Sequence, residues 1–306
     1  MRAQSLISLM ALGCAAIGFA PAEAAAQRSG CQIRVETNPV DWVIRGFDPF
    51  ETQAPVAQFD LVLVNEGEAD CTVSPLFQLD QESFGLRAGN GGGQPMVYSL
   101  YDQSNGVDAT PRAGRSQRRP TSPRVRIAAR QQQLVRYQFA VDADTVPGDG
   151  LFSQQLTVEL EDERGAVVGQ RRIMLGIDIL PSARIGLAGA YRINDGRPTI
   201  DLGELRQGIA PVPLQLRVAS TRRYRLGFES RNNGRLMIPG TEWAVSYHLR
   251  AGDQVVPLDR GVSEIVGANG RGYSREAVPV HFVIGDVSTQ RAGLYSDIVT
   301  ITVATQ

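Results

Sequence analysis

The chain contains no lysine, so its 31 basic residues are all arginine. A phosphate-binding loop of the nucleotide-hydrolase type needs a lysine, and Gly89-Asn90-Gly91-Gly92-Gly93 therefore reads as a turn. Histidine is nearly as scarce, with only His248 and His281. Neither stands at ligand spacing from a cysteine or carboxylate, so both read as ordinary strand residues. No Gly-x-Ser-x-Gly elbow occurs and the carboxylates are scattered. The expectation is a chain with no catalytic residue, no metal site and no cofactor, hence not an enzyme. Neither acidic nor basic residues are in excess: the formal net charge is −1, which argues against a nucleic-acid or membrane-surface binder. No window sustains a helical period.

What is present begins with an apolar leader. Arg2, the apolar run Leu6 to Phe19 and the small residues at Ala22-Glu23-Ala24 or Ala24-Ala25-Ala26 make residues 1–26 a secretory signal. The run is short for a membrane span. Leu12-Gly13-Cys14 leaves open a lipid anchor at Cys14, although an alanine precedes it where leucine is usual. Past the signal two of the three cysteines remain, Cys31 and Cys71. In an oxidising compartment such a pair reads as one disulfide, with two separate buried thiols as the alternative.

The remainder reads as strands. Gln58–Val64 alternates, and Met96–Tyr101, Leu134–Val141, Val212–Val218, Tyr224–Phe228, Val245–Leu249 and Val278–Ile284 are further β-rich runs. Asn232-Asn233-Gly234 and Asn269-Gly270 are turn signals. One phrase occurs twice: Gly150-Leu-Phe-Ser-Gln-Gln-Leu-Thr-Val-Glu-Leu160 aligns without a gap on Gly293-Leu-Tyr-Ser-Asp-Ile-Val-Thr-Ile-Thr-Val303. A turn, Glu161 to Gly165, and a second apolar strand, Val167–Leu180, follow the first copy; the second copy is not followed by such a strand. The fold expected is all-β, two immunoglobulin-like antiparallel sandwiches in tandem over 27–180 and 181–306, the C-terminal one lacking its last strand. Tyr295, Ile298, Val299, Ile301 and Val303 are expected along its open edge.

One charge cluster is visible. From Ala109 to Val141 no acidic residue occurs, while Arg112, Arg115, Arg118, Arg119, Arg124, Arg126, Arg130 and Arg136 all fall inside. Arg112, Arg115, Arg118 and Arg119 are candidates for a polyanion patch. A solvated loop is the alternative, because no aromatics interleave with them.

These features resemble the spore-coat-U-type pilin domain of archaic chaperone–usher fimbriae. In the first unit the resemblance rests on Cys31, Cys71, Tyr98-Ser-Leu-Tyr101 and Gly150-Leu-Phe-Ser153; in the second on Tyr224-Arg-Leu, Tyr247-His-Leu and Arg291-Ala-Gly-Leu-Tyr-Ser-Asp297, without the cysteines. The resemblance implies a sandwich completed by a strand from a periplasmic pilus chaperone and then from an adjacent pilin subunit, after passage through an outer-membrane usher, to a fimbrium at the cell surface. It implies an adhesive subunit at the tip, since residues 25–30 are short and polar for a donated strand. A donor burying four or five apolar side chains would contribute about 6–15 kcal/mol before entropic costs. Further partners would be a surface receptor or a polyanion, with Trp42, Phe47 and Phe50 as a candidate adhesive loop; a core position for Trp42 is the alternative. The competing class is a self-contained secreted or periplasmic two-domain binding protein outside any fibre. Whether Val167–Leu180 closes the first sandwich while the second stays open separates the two.

Overall fold

A computed structural model describes residues 31–79, 83–89, 93–111, 123–142, 144, 146–267 and 272–306. The leader and Arg112, Arg115, Arg118 and Arg119 lie outside the described residues, as does Asn269-Gly270.

Among the described residues the first half holds eleven strands. They are β1 (Ile33–Asn38), β2 (Trp42–Phe47), β3 (Val56–Asn65), β4 (Cys71–Gln78), β5 (Arg87–Ala88) and β6 (Tyr98–Asp102). Then come β7 (Val107–Asp108), β8 (Val125–Ile127), β9 (Gln132–Val141), β10 (Gly150–Asp162) and β11 (Val167–Ile179). One sheet has the order β1-β3-β9-β6-β7; the other runs β2-β11-β10-β4-β8, with β5 also on β10. Every pairing is antiparallel except β2 on β11, which is parallel. The chain thus starts on one sheet as β1 and crosses to the other as β2, against the far side of β11. Alternating burial along β3, β4 and β9 points one face of each strand into a shared core.

That core centres on Trp42, which is fully buried. Its ring stacks on Phe59 at 5.5 Å and lies 5.9 Å from Phe77 and 5.7 Å from Tyr137. Burial raises the Tyr137 phenol well above its ordinary range, with Asp102 adding to the effect. Cys31 and Cys71 are joined, with Cα atoms 5.4 Å apart, tying the entry of β1 in one sheet to the start of β4 in the other. Cys71 opens its strand.

Among the described residues the second half holds twelve strands. They are β12 (Ala183–Gly189), β13 (Arg192–Asn194), β14 (Arg197–Thr199), β15 (Gly208–Ile209), β16 (Leu214–Ser220) and β17 (Tyr224–Ser230). Then come β18 (Arg235–Met237), β19 (Ala244–Ala251), β20 (Gln254–Val256), β21 (Ser263–Val266), β22 (Ser274–Ile284) and β23 (Val299–Thr305). One sheet follows β12-β16-β22-β19-β18; facing it is the order β21-β17-β23, and β13 pairs with β14 as a separate hairpin. A second core, including Leu216, Tyr224, Leu226, Phe228, Leu249 and Val256, lies between the sheets.

Besides Pro198 in the short hairpin strand β14, two prolines sit inside strands of the sandwich sheets. Pro75 pairs with Leu160 of β10, where β8, matched only to Cys71–Val73, has ended. Pro279 pairs with Gln215 of β16, just before β19 joins β22 at Val280. Pro75 lies past the end of β8, where a sheet tolerates proline, and Pro279 lies at the start of the β19 ladder, where its carbonyl accepts from the Gly252 N–H at 2.8 Å.

Leu180, Pro181 and Ser182 connect β11 to β12. Around this seam the Arg222 guanidinium pairs with the Asp149 carboxylate, the Tyr273 N–H donates to the Pro147 carbonyl at 3.0 Å, and Phe50 stacks on Tyr273 at 6.0 Å.

Candidate functional site

The two copies of the repeated phrase are β10 and the segment ending in β23, and they occupy corresponding places. β10 is flanked on both sides: β4 pairs with Thr157–Asp162, and β11 pairs along its length from Gly150 to Glu161. β23 pairs with β17 over Val299–Thr305, and no strand pairs with its other side among the described residues. The first copy is a strand of 13 residues and the second of 7. The difference is local in origin. Gly150–Gln155 meet β11 and, at Phe152 and Ser153, β5; Gly293–Ile298 have only the single bridge of Ser296 to Met237. An extended segment without a ladder partner does not hold as strand.

Burial follows pairing. In β10 the inward side chains Phe152, Gln154, Leu156, Val158 and Leu160 are all buried, and Ile173, Leu175 and Ile177 of β11 cover them. The counterparts Tyr295, Asp297, Val299, Ile301 and Val303 are only half-buried. Tyr295, Val299, Ile301 and Val303 pack against the second core from its open flank, as do Ile185 and Leu187 of β12. β12 forms one end of its sheet, and parts of it come within 8 Å of β23, Cα to Cα. Between these two edges runs an apolar groove with unpaired backbone groups on the β23 side, an arrangement that invites a further strand. Four of the five edge residues expected from the sequence line this face. Ile298 does not: it is 39% exposed, on the opposite side of the alternation.

A carboxylate anchors the groove's end. Asp297 accepts from the Tyr247 hydroxyl (2.7 Å), the Ser230 hydroxyl (2.5 Å) and the backbone N–H groups of Asn232 and Ile298 (3.1 and 2.7 Å). Burial and the Asp297 bond push the Tyr247 phenol far above its ordinary value. The first sandwich has a neutral version: the Tyr98 hydroxyl donates to Gln154 Oε1 at 2.9 Å, the Gly85 N–H donates to the same oxygen, and Gln154 Nε2 donates to the Ser83 carbonyl. The repeat pattern does not single out either pair as bonded. Gln154 and Asp297 do stand at the same distance, four residues, from the glycine of the repeated Gly-Leu-aromatic-Ser phrase, whereas Tyr98 and Tyr247 do not.

Other expected residues fall elsewhere. Of the candidate adhesive residues, Trp42 takes the alternative core position, and Phe47 is buried with it in β2, which pairs with β11. Phe50 is half-buried against Tyr273. Of the arginine run, the described members have acidic neighbours: Arg126 with Asp70 (2.8 Å), Arg130 with Glu68, Arg136 with Asp60 (2.8 Å), and Arg124 with Glu163 (4.0 Å). The Arg136 guanidinium holds the Asp60 carboxyl below its ordinary range. The acidic gap in sequence is therefore filled across strands. His248 and His281 lie on the neighbouring strands β19 and β22, opposite Val283 and Arg250. Among the described residues no group of three or more His, Cys, Asp or Glu could hold a metal ion.

No protein-family model and no curated protein matches the chain. Solved structures do. The chaperone–tip adhesion subunit complex CsuC–CsuE of archaic Csu pili from Acinetobacter baumannii is similar at 14% identity over 86% of this chain and 98% of that one, with a TM-score of 0.45. The CupB6 tip adhesin from Pseudomonas aeruginosa is similar at 9% identity over 90% and 95%, with a TM-score of 0.39. CfaE, the adhesive subunit of CFA/I fimbria of enterotoxigenic Escherichia coli, matches at 9% identity over 87% and 92%, with a TM-score of 0.35.

Proposed function

We propose that this protein is an exported adhesive subunit of a chaperone–usher-type surface fimbria, assembled through the open groove of its second sandwich. The observation that carries the reading is the contrast between β10, paired on both sides, and β23, paired on one. A sandwich whose inward side chains stay half-exposed along one strand loses apolar burial that a further strand would restore, at about 25 cal/mol per Å². The chaperone would supply that strand first and the adjacent subunit afterwards, with the usher as the exit.

Position at the tip has an internal argument. A subunit that passes a strand onward needs a free extension ahead of its pilin-like sandwich. Here the segment ahead of β12 is β11, already bound between β10 and β2. The second sandwich can accept a strand but has no free strand of its own just upstream to give.

The test is expression in a periplasm with and without a pilus chaperone. Alone, the chain should aggregate or be degraded; with the chaperone it should be recovered as a one-to-one complex. A soluble monomer lacking any partner, with the β23 amides exchanging as slowly as those of β10, would overturn the reading.

A further inference from the structure

The phrase Gly-Leu-aromatic-Ser opens both copies of the repeat. In the first sandwich its leucine has a definite place. Leu151 pairs across from Asp178 on the outer face of the sheet, diagonal to Gly176 of β11. A Cβ on Gly176 would stand 3.5 Å from the Leu151 methyl, and 2.9 Å from the Phe152 carbonyl oxygen. The leucine thus leans over β11 at a position kept bare by glycine, on the face away from the core. In the second copy Leu294 is 85% exposed, and Gly293–Ile298 is not strand.

Resting on the groove reading above, we propose that Gly293–Ile298 is a latch. An incoming strand pairs with it antiparallel, extends β23 back to Gly293, and lets Leu294 close over the strand's outer face. The protein's own β11 then specifies the kind of strand that fits. It has large apolar side chains at alternate positions, as Ile173, Leu175, Ile177 and Ile179, and a glycine facing outward between the second and third, as Gly176. Opposite Asp297 it carries an aliphatic side chain, as Leu175 lies opposite Gln154. A β-branched residue in place of that glycine would meet both the strand backbone and the leucine.

The test lengthens the full chain after Gln306 by a copy of Arg164–Leu180, which restores the frame of the first sandwich. Three versions are compared: this copy, the same copy with the glycine that corresponds to Gly176 changed to valine, and a scrambled copy. Readouts are the unfolding midpoint, amide exchange at Leu294–Ile298, and thiol alkylation of a Leu294→Cys variant. The expected result is that the faithful copy raises the midpoint, slows exchange at these amides and slows alkylation several-fold, and that glycine to valine abolishes most of each effect. If the faithful copy stabilises while exchange at Leu294–Ile298 is unchanged and valine is tolerated, the latch is wrong and the groove reading stands. If the faithful and scrambled copies behave alike, the groove reading itself fails. Amide exchange is read with Leu294 intact, so it decides the matter even where Leu294→Cys folds poorly.

Discussion

The two sandwiches share a strand pair, β4 with β10 in the first and β17 with β23 in the second, and differ in what lies on the other side of β10 and β23. Where β11 is present, the strand it covers has 13 residues and a buried inner face; where no such strand lies among the described residues, the corresponding strand has 7 residues and a half-exposed one. Side-chain chemistry is nearly matched: Phe152, Leu156, Val158 and Leu160 face Tyr295, Val299, Ile301 and Val303 as counterparts. Strand length and burial are therefore set by the neighbour. An apolar alternating sequence is necessary for a buried strand but does not by itself bury it.

The largest effect should come from attacking the covering strand. Ile177→Asp puts an unpaired charge in the first core and should cost about 4 kcal/mol or more, enough to unfold that sandwich, as read by urea denaturation. The same exchange at Ile301 should cost roughly 1 kcal/mol in the chain alone, because that side chain already meets water. Equal losses would break the comparison.

Next in size is the disulfide, which belongs to the first sandwich only. Replacing Cys31 and Cys71 by alanine should cost about 4 kcal/mol for a closed loop of this length. Unfolding of the second sandwich, followed by its own amide exchange, should be unmoved.

A smaller contrast lies in the two tyrosine pairs. Asp297→Asn exchanges a carboxylate with four donors for an amide with one acceptor oxygen, and should destabilise by about 1.5–3 kcal/mol. Tyr98→Phe removes a neutral bond to Gln154 and should cost about 1 kcal/mol. Thermal unfolding of both variants orders them.

The smallest effect concerns alkaline pH. The folded state raises the Tyr247 phenol above the ordinary value of 10.0, so folding favours the protonated form. Its contribution is fully present below pH 10 and declines as pH rises beyond it, when the unfolded chain ionises first. Tyr247→Phe should flatten part of the stability loss above pH 10; an unchanged slope would separate the hydroxyl from that loss.

Much of the plan was legible in the sequence because it was local. The alternation in Gln58–Val64, Leu134–Val141 and Val278–Ile284 marked β3, β9 and β22, and the repeat marked β10 and β23. What escaped was set by distant partners. Cys71–Gln78 carries Pro75 and does not read as a strand, yet β10 holds it in one. Trp42–Phe47 lies among glycine and prolines and reads as a loop, yet parallel pairing with β11, more than 120 residues away, makes it β2. Asp297 and Tyr247 are 50 residues apart, so no spacing rule joins them.

The three-residue connection at Leu180–Ser182 also fixes how tension would travel. A pull on the second sandwich enters the first along the axis of β11, whose hydrogen bonds to β10 and β2 lie across that axis. Those rows must slide together before any one of them yields, whereas a strand pulled from its side opens bond by bond. The relevant quantity under load is then the unfolding rate and not the equilibrium stability. The same strand that completes the first core serves as its mechanical tether to the second.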